Sequence, residues 1–332
     1  MLTGQDEADA PDVELVEVVL RDGFQPIGLW IPTKRKIALL HRLAGTGLRR
    51  MEVTAFVSHT AVPQMRDAAE VLAAARDIPG LRAQVLVPTA RQAGLALAAG
   101  ARSLAYVLSA SEAHNHSNVR RSINESVENY ARMVERVPPE IDLRLNLSTS
   151  FDCPFTGLVP EEAVLTLLHR LLALRPGVEV GLCDTTGRAT PDQVDRLAAL
   201  VMTSLPQARW AFHGHDTYGL GAANVYAAFN AGIRVIDAAA GGLGGCPFAP
   251  GATGNVATED VVWMFERMGL HTGVDVDALF DVARELVTIA GAQPGGHVRD
   301  ALAARGRCGV PAAPGNESLH GQREEEAGHA AE

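Results

Sequence analysis

Residues 17–25 read Glu-Val-Val-Leu-Arg-Asp-Gly-Phe-Gln, and this stretch decides between the two folds that the rest of the chain allows. Its apolar run predicts the end of a first β-strand, which the polar pair Arg21-Asp22 follows directly. An open, doubly wound sheet would more naturally carry a glycine-rich phosphate turn at this point. The single Gly23 does not make such a turn, so the stretch favours a closed barrel.

The same alternation of apolar and amphipathic segments continues along the chain. Short β-branched runs are followed by longer stretches rich in Ala, Leu and Arg, which is typical of βαβ units around a parallel sheet. Eight such pairs match an α/β fold of the (β/α)8 TIM-barrel class, which takes about 250 residues. The predicted strands are Val13–Leu20, Arg49–Phe56, Leu81–Pro88, Ser103–Ser109, Ile141–Ser150, Val178–Asp184, Ala208–His215 and Arg234–Ala239. The predicted helices are Pro32–Ala44, Ala68–Asp77, Thr89–Ala99, Ser122–Val137, Pro160–Leu174, Pro191–Leu205, Gly221–Ala231 and Ala257–Met268, with an additional C-terminal helix at Val276–Ala290.

This periodicity divides the chain into three parts. We expect residues 1–12 to form a flexible N-terminus and residues 13–291 to form the barrel domain with its additional helix. Residues 292–332 are rich in Gly, Pro, Ala and Glu, which predicts a disordered tail. The N-terminus has the pattern of neither a secretory signal nor a transit peptide, and no apolar run approaches the roughly 18 residues of a membrane span. No membrane association is expected.

Composition narrows the possible partners and the cellular compartment. Hydrophobic residues make up 47% of the 332 residues, enough for one large core. A formal net charge of −10 opposes binding of a polyanion, so nucleic acid is not an expected partner. The four cysteines show none of the paired spacings of zinc or redox sites, which favours a soluble protein of the reducing cytoplasm. They are Cys153, Cys183, Cys246 and Cys308.

Two histidines at the end of the seventh predicted strand are candidate metal ligands. His213 and His215 are separated by one residue, so their side chains point to the same face of a strand. Two imidazoles in this arrangement can bind one ion. Two histidines that only satisfy hydrogen bonds in the core are an equally good interpretation.

The first predicted strand ends on a second candidate pair. Asp22 offers an anionic ligand at the mouth of the barrel, although an aspartate before glycine also suits a turn. Arg21 beside it could stabilise a developing oxyanion. Carboxyl ends of barrel strands converge on one mouth, where catalysis takes place. We therefore expect Arg21 and Asp22 to lie close to the two histidines.

Two loops carry further polar residues. Residues 241–255 form a glycine-rich loop after the eighth strand, and it carries Cys246, a thiol that could transfer a proton if the loop closes over the mouth. An inert, small apolar role is the alternative for this cysteine. The stretch 113–118, which reads Ala-His-Asn-His-Ser-Asn, is predicted to be a polar loop after the fourth strand, and its histidines are not expected to bind metal.

Taken together, these motifs resemble the 3-hydroxy-3-methylglutaryl-CoA lyase family, within a superfamily of metal-dependent barrels that also contains Claisen-condensing synthases. The resemblance runs from about residue 13 to residue 290. The segments that carry it are Glu17 with Arg21-Asp22-Gly23, residues 52–58 (Glu-Val-Thr-Ala-Phe-Val-Ser), residues 62–65 (Val-Pro-Gln-Met), Asp184-Thr185, residues 213–219 (His-Gly-His-Asp-Thr-Tyr-Gly), residues 242–247 (Gly-Leu-Gly-Gly-Cys-Pro) and Gly254-Asn255.

The resemblance implies roles for individual residues. One divalent cation, Mg²⁺ or Mn²⁺, would be bound by Asp22, His213, His215 and Asn255. Arg21 would steady the thioester oxygen, and Cys246 would be the catalytic thiol. Asp22 or His213 would accept the hydroxyl proton, and the sequence does not choose between them. Substrate contacts are expected from Arg21, Gln25, Glu52 and Asp184, whereas Glu17 and Glu259 would be supporting or structural residues.

The resemblance also implies a reaction and a partner. A retro-Claisen cleavage of 3-hydroxy-3-methylglutaryl-CoA, with coenzyme A as part of the substrate, would give acetyl-CoA and acetoacetate, and the enzyme would be a homodimer. Departures from the family pattern in loops over the mouth leave citramalyl-CoA or a longer branched 3-hydroxyglutaryl-CoA as alternative substrates. A condensing synthase would usually need a further domain, and a catalytically silent metal-binding barrel would need neither Arg21 nor Cys246. The departures are Phe24-Gln25-Pro26, Gly28, His59 and residues 152–157.

Overall fold

The computed structural model describes residues 10–245 and 254–307. Within these ranges, eight parallel strands close into a barrel in which each strand pairs with its neighbours along the chain and the first strand pairs with the last. This confirms the predicted (β/α)8 barrel. The strands are β1 (Glu14–Glu17), β2 (Arg50–Ala55), β3 (Arg82–Val87), β4 (Ser103–Ser109), β5 (Asp142–Ser148), β6 (Glu179–Asp184), β7 (Arg209–Gly214) and β8 (Val235–Ala238).

Helices surround this barrel and bury their apolar faces against its strands. Leu40 and Leu43 of the first helix, for example, are fully buried in the shared core. A small two-stranded hairpin, Asp152–Cys153 with Gly157–Leu158, lies outside the barrel sheet. In the described part of the chain the helices are α1 (Thr33–Gly45), α2 (Ala68–Arg76), α3 (Ala90–Ala98), α4 (Glu112–Val119), α5 (Ile123–Val134), α6 (Glu161–Leu172), α7 (Pro191–Ser204), α8 (Gly221–Asn230), α9 (Thr258–Arg267), α10 (Val276–Leu286) and α11 (Val298–Arg307). None of these helices is long and apolar enough to cross a membrane.

The first strand is shorter than the sequence predicts. It ends at Glu17, and a π-helical turn occupies Val19–Gly23 in place of the expected strand end. The Phe24 N–H donates to the Val19 carbonyl at 2.9 Å, which is the wider hydrogen-bond spacing of a π-turn. The buried apolar residues of this turn, Val19 and Leu20, continue the apolar run of the strand in the sequence. The turn carries the Arg21-Asp22 pair to the mouth of the barrel.

The prediction of a loop at 113–118 is wrong, because α4 covers these residues. Ser111 caps this helix by accepting a hydrogen bond from the His114 N–H at 3.4 Å. The residues that the helix buries are the polar His114 and Asn115. Sequence periodicity therefore gave no apolar signal for it.

The disorder expected beyond residue 291 is wrong for the stretch that forms α11. Arg299 of this helix is 3% exposed and donates to the buried Glu259 of α9 at 2.8 Å. This ion pair joins the helix to the barrel, although the helix has little apolar periodicity. The remaining residues for which flexibility or disorder is expected, 1–9 and 308–332, lie outside the described residues.

The interior of the barrel is charged. Arg50 of β2 and Arg144 of β5 are at most 1% exposed, and both bind the buried Glu179 of β6. A buried guanidinium is tolerated only when carboxylates compensate its charge. These residues fill the barrel below the mouth, so polar side chains hold the strands that carry the site.

Candidate active site

The four predicted ligands meet at the carboxyl ends of the strands. Ligand atoms of Asp22, His213 and His215 all lie within 4.8 Å of one another. The amide nitrogen of Asn255 lies 2.7 Å from Asp22 Oδ2. Residues far apart in the sequence thus form one compact group, as the sequence predicts.

The histidine segment is fixed by the strand and by backbone pairing just beyond it. His213 belongs to β7, and His215 pairs with Asn255 through an isolated antiparallel bridge. The Val256 N–H donates to the Gly214 carbonyl at 3.0 Å, which brings the far end of the glycine-rich loop alongside β7. Both imidazoles face the same side, and their ring centroids are 5.2 Å apart.

Two buried atoms at this group have no hydrogen-bond partner among the described residues. They are Oδ1 of Asn255 and Nδ1 of His215. The Asn255 amide donates to the Leu243 carbonyl at 3.0 Å and to Asp22, so its orientation is set and Oδ1 is left over. Buried polar atoms without partners are costly, and a cation would satisfy a leftover oxygen. The donor set fits a divalent metal site.

His213 is oriented by a carboxylate that the sequence reasoning missed. Its Nδ1 lies 3.1 Å from Oδ2 of Asp237 in β8. Arg144 holds that carboxylate through two hydrogen bonds of 2.9 and 2.8 Å. A proton on Nδ1, facing Asp237, leaves Nε2 as the acceptor that would be available to a metal. An aspartate inside an otherwise apolar strand was the signal that could have revealed it.

Arg21 is fixed by carboxylates on both sides. Its guanidinium forms ion pairs with Asp22 and with Glu52, and Glu52 also accepts a hydrogen bond of 2.9 Å from Gln84. Burial opposes the charge, but Asp22 and Glu52 outweigh it and raise the pKa of Arg21. The guanidinium is therefore a permanent, oriented cation at the mouth.

Burial and neighbouring charges also set the protonation of the candidate ligands. Burial would raise the pKa of Asp22, but Arg21 and the two histidines outweigh it and hold that pKa well below its usual range. Burial and the nearby His213 lower the pKa of His215 to about 4. At neutral pH the group therefore offers a carboxylate and a neutral imidazole, which are the forms that bind metal.

Comparison with known proteins identifies the family of this arrangement. The model of the HMGL-like family matches residues 12–287. The chain belongs to the HMGL-like family. It is 42% identical over 265 residues to the mouse "3-hydroxy-3-methylglutaryl-CoA lyase, cytoplasmic", covering 80% of this chain and 77% of the mouse protein. It is 38% identical over 294 residues to a 3-hydroxy-3-isohexenylglutaryl-CoA/hydroxymethylglutaryl-CoA lyase of Pseudomonas aeruginosa, covering 88% and 98%.

A solved relative shows the same fold. An HMG-CoA lyase of Acinetobacter baumannii, in complex with coenzyme A and 3-methylmalate, superimposes with a TM-score of 0.82 at 39% identity, covering 87% of this chain and 94% of that one. The expected family resemblance is thus confirmed, and the HMGL-like chain is a lyase enzyme.

In this HMGL-like chain a cavity of about 410 Å³ opens beside the candidate ligands. Gln25, for which a substrate contact is predicted, lines this cavity. The cavity is also lined by residues that the sequence reasoning did not select, because they lie on different strands and loops. These are Ser58, Gln92, His114, Asn118, Arg120, Arg121, Asn146, Ser148 and Thr185.

Two other residues predicted to contact substrate, Glu52 and Asp184, are buried. Glu52 is 1% exposed and faces Arg21, so its contacts position the guanidinium. Asp184 is fully buried and accepts a hydrogen bond of 3.1 Å from the Ala189 N–H, in the turn that follows β6. Burial raises the pKa of Asp184 to about 6. Neither carboxylate is among the described residues that line the cavity.

Cys246, the predicted catalytic thiol, lies outside the described residues. The residues on both sides of the undescribed segment 246–253 lie close to the candidate ligands. Gly245 lines the cavity, and Gly254 precedes Asn255. Gly244 leaves no room for a larger residue, because an added Cβ would lie 2.4 Å from the Asn255 amide nitrogen.

Proposed function

We propose that the protein cleaves 3-hydroxy-3-methylglutaryl-CoA, or a closely related 3-hydroxyacyl-CoA, in a retro-Claisen reaction that depends on a divalent cation. The proposal is carried by the meeting of Asp22, His213 and His215 beside a fixed Arg21 at one mouth of the barrel. Relatives named as lyases of this substrate support it. The products are acetyl-CoA and a keto acid, which is acetoacetate for the parent substrate.

Asp22, His213, His215 and Asn255 would hold the cation. Their carboxylate, imidazole and amide donors suit Mg²⁺ or Mn²⁺. When bound, such a cation supplies Lewis acidity that lowers the pKa of a substrate hydroxyl. Asp237 keeps the Nε2 atom of His213 available by binding its Nδ1 atom.

The bonds that change are those around C2 and C3 of the acyl group. The C3 hydroxyl loses its proton to Asp22 or His213 and becomes a carbonyl, while the C2–C3 bond breaks. The electron pair of that bond passes to the thioester as an enolate. Protonation of C2 then completes the acetyl group of acetyl-CoA.

Arg21 would stabilise the enolate. Its guanidinium is fixed by Asp22 and Glu52, so little reorganisation is needed when negative charge develops on the thioester oxygen. Cys246 would protonate C2. The position of its neighbour Gly245 in the cavity wall supports this role, because the thiol is attached one residue further along the chain.

A branched 3-hydroxyglutaryl-CoA is the second candidate substrate. The Pseudomonas aeruginosa relative is named for a longer, isohexenyl-substituted substrate as well as for hydroxymethylglutaryl-CoA. Among the segments that depart from the family pattern, residues 24–26 contain Gln25, which lines the cavity, and His59 follows Ser58, which also lines it, so changes there would reshape an acyl pocket. Citramalyl-CoA is a further candidate substrate, and it is included in the panel of esters described next.

The proposal is tested with purified, Mn²⁺-loaded protein and a panel of 3-hydroxyacyl-CoA esters, by following acetyl-CoA release with mass spectrometry. We expect release from 3-hydroxy-3-methylglutaryl-CoA or from a branched analogue, and none after chelation of the metal. The proposal would be contradicted if none of the esters released acetyl-CoA, or if chelation left the cleavage unchanged. A homodimer and a cytoplasmic location are further proposals, and light scattering of the purified protein tests the first.

A further inference from the structure

The substrate cavity has a basic side that the reaction described above does not use. Three arginines and three histidines line the cavity, whereas Asp22 is the one carboxylate among the described lining residues. Arg21 is neutralised by Asp22 and Glu52. The positive charge that is left comes from Arg120 and Arg121, which follow α4.

Arg121 is held in place by backbone carbonyls and forms no salt bridge with any carboxylate that the structure describes. Its Nε donates to the Val119 carbonyl at 3.2 Å and its Nη2 donates to the Pro88 carbonyl at 2.9 Å. Its Nη1 is buried and has no hydrogen-bond partner within the described ranges. Because an unpaired buried donor on a charged group is costly, the arrangement favours binding of an acceptor.

Arg120 sits on a strained backbone at the rim. Its φ of 55° and ψ of 39° are left-handed, a conformation that suits glycine at the end of a helix. Strain of this kind is typical of functional sites. The exposed side chain of Arg120 borders the same cavity as Arg121.

The described surroundings offset only part of this charge. Burial lowers the pKa of His114 to about 4, so this imidazole is neutral at pH 7. Glu125 of α5 offsets part of the arginine charge: hydrogen bonds from Ser122, and to a smaller extent the charge of Arg121, lower the pKa of its carboxyl group, but Glu125 does not line the cavity. Pro88 and Thr89, at the N-terminus of α3, also line the cavity, and the amino end of a helix attracts an anion.

We infer that Arg120 and Arg121 form an anion-binding subsite of the substrate cavity, an inference that rests on the proposed function. The anion is a group of the substrate, either a phosphate of coenzyme A or a carboxylate of the acyl chain. Arg121 supplies the fixed, buried donor, and Arg120 adds charge at the rim.

Steady-state kinetics distinguish the two sources of the anion. For Arg121→Ala we expect KM for 3-hydroxy-3-methylglutaryl-CoA to rise about 10- to 100-fold with kcat within about twofold, because a hydrogen bond to a charged group is lost. If KM rises by the same factor with the pantetheine thioester, which lacks the nucleotide phosphates, the anion is the acyl carboxylate. If KM rises only with the coenzyme A ester, the anion is a phosphate of coenzyme A. Arg136→Ala, on an exposed residue outside the cavity wall, is the control.

Calorimetric binding of coenzyme A and of 3-hydroxyglutarate makes the test independent of turnover. We expect Arg121→Ala to weaken at least one of them about tenfold or more, and Arg121→Lys to weaken it less. Arg120→Gly should weaken binding while leaving the melting temperature unchanged or higher, since glycine relieves the strain. Wild-type protein that binds neither probe, or equal affinities in wild type and Arg121→Ala, overturns the subsite. Absence of lyase activity together with lost binding in the variant overturns only the proposed reaction.

Discussion

Oδ2 of Asp237 lies 3.1 Å from Nδ1 of His213, and Arg144 holds the same carboxylate through two hydrogen bonds. The candidate metal ligand is therefore tied to the charged interior of the barrel. Burial would raise the pKa of Asp237, but Arg144 and His213 outweigh it and lower that pKa. Asp237 thus remains a carboxylate that orients the imidazole.

Replacing Asp237 with Asn should weaken the metal site. The substitution keeps the size of the side chain but removes the charge that fixes the His213 tautomer, so we expect Mn²⁺ affinity to fall about 10- to 100-fold. Titration calorimetry with Mn²⁺ measures this change. Asp195→Asn, on the exposed side of α7, is the matched control. Unchanged affinity in Asp237→Asn, with the fold intact by circular dichroism, would show that His213 needs no such support.

Glu52→Gln should lower turnover more than it changes metal binding. Glu52 touches Arg21 and Gln84 and does not line the cavity, so it acts by positioning the guanidinium. With Arg21 less well oriented, we expect kcat to fall about 10-fold or more, as a misplaced oxyanion donor does. KM and Mn²⁺ affinity should change little. A variant with the kcat of wild type would remove Glu52 from the positioning of Arg21.

Cys246→Ala should separate metal binding from catalysis. The thiol is not among the four proposed ligands, so the metal content measured by mass spectrometry should stay that of wild type. If the thiol protonates C2, turnover of the acyl-CoA substrate should be abolished. Cys153→Ala, which removes a buried thiol that does not line the cavity, is the matched comparison. Wild-type turnover by Cys246→Ala would exclude the thiol from the mechanism.

Glu17 predicts a pH dependence of stability. Burial raises its pKa to about 7, even though hydrogen bonds from Thr258 and from backbone amides oppose the shift. The folded state then binds more protons than the unfolded state between about pH 4.5 and 7, so this group makes the free energy of unfolding fall as pH rises through that window. The loss from Glu17 is on the order of 3 kcal/mol when complete.

Urea unfolding at pH 5 and pH 8 checks this dependence. Glu17→Gln resembles the neutral form, so the variant should lose less stability between these two pH values than wild type does. Glu140→Gln, on an exposed residue, should keep the wild-type difference. An equal pH difference in Glu17→Gln and wild type would show that Glu17 does not titrate in this range.

The sequence predicted the barrel well because the pattern of buried strands repeats eight times. Strand β4 has the predicted bounds, and the other seven strands fall within their predicted ranges. The errors occur where polar contacts replace apolar periodicity. Helix α4 buries His114 and Asn115, and the α11 residue Arg299 is buried by its ion pair with Glu259. Neither contact leaves a periodic pattern in the chain.

The site was predictable to the extent that local spacing decides it. The alternation of strand side chains placed His213 and His215 on one face, and the resemblance added Asn255 from a distant segment. The supporting pair of Asp237 and Arg144 was missed, because 93 residues separate them and the barrel closure brings them together. Arg121 was also missed, because its place in the cavity depends on helix α4, which the sequence did not predict.

Titration of the protein with Mn²⁺, followed by electron paramagnetic resonance, tests the central claim most directly. The claim is that Asp22, His213, His215 and Asn255 hold one cation beside Arg21. We predict one tight site per chain in wild type, and loss of that site in Asp22→Ala and His215→Ala variants that remain folded. A wild-type chain without a tight site, or the same stoichiometry and affinity in both variants, would contradict the account.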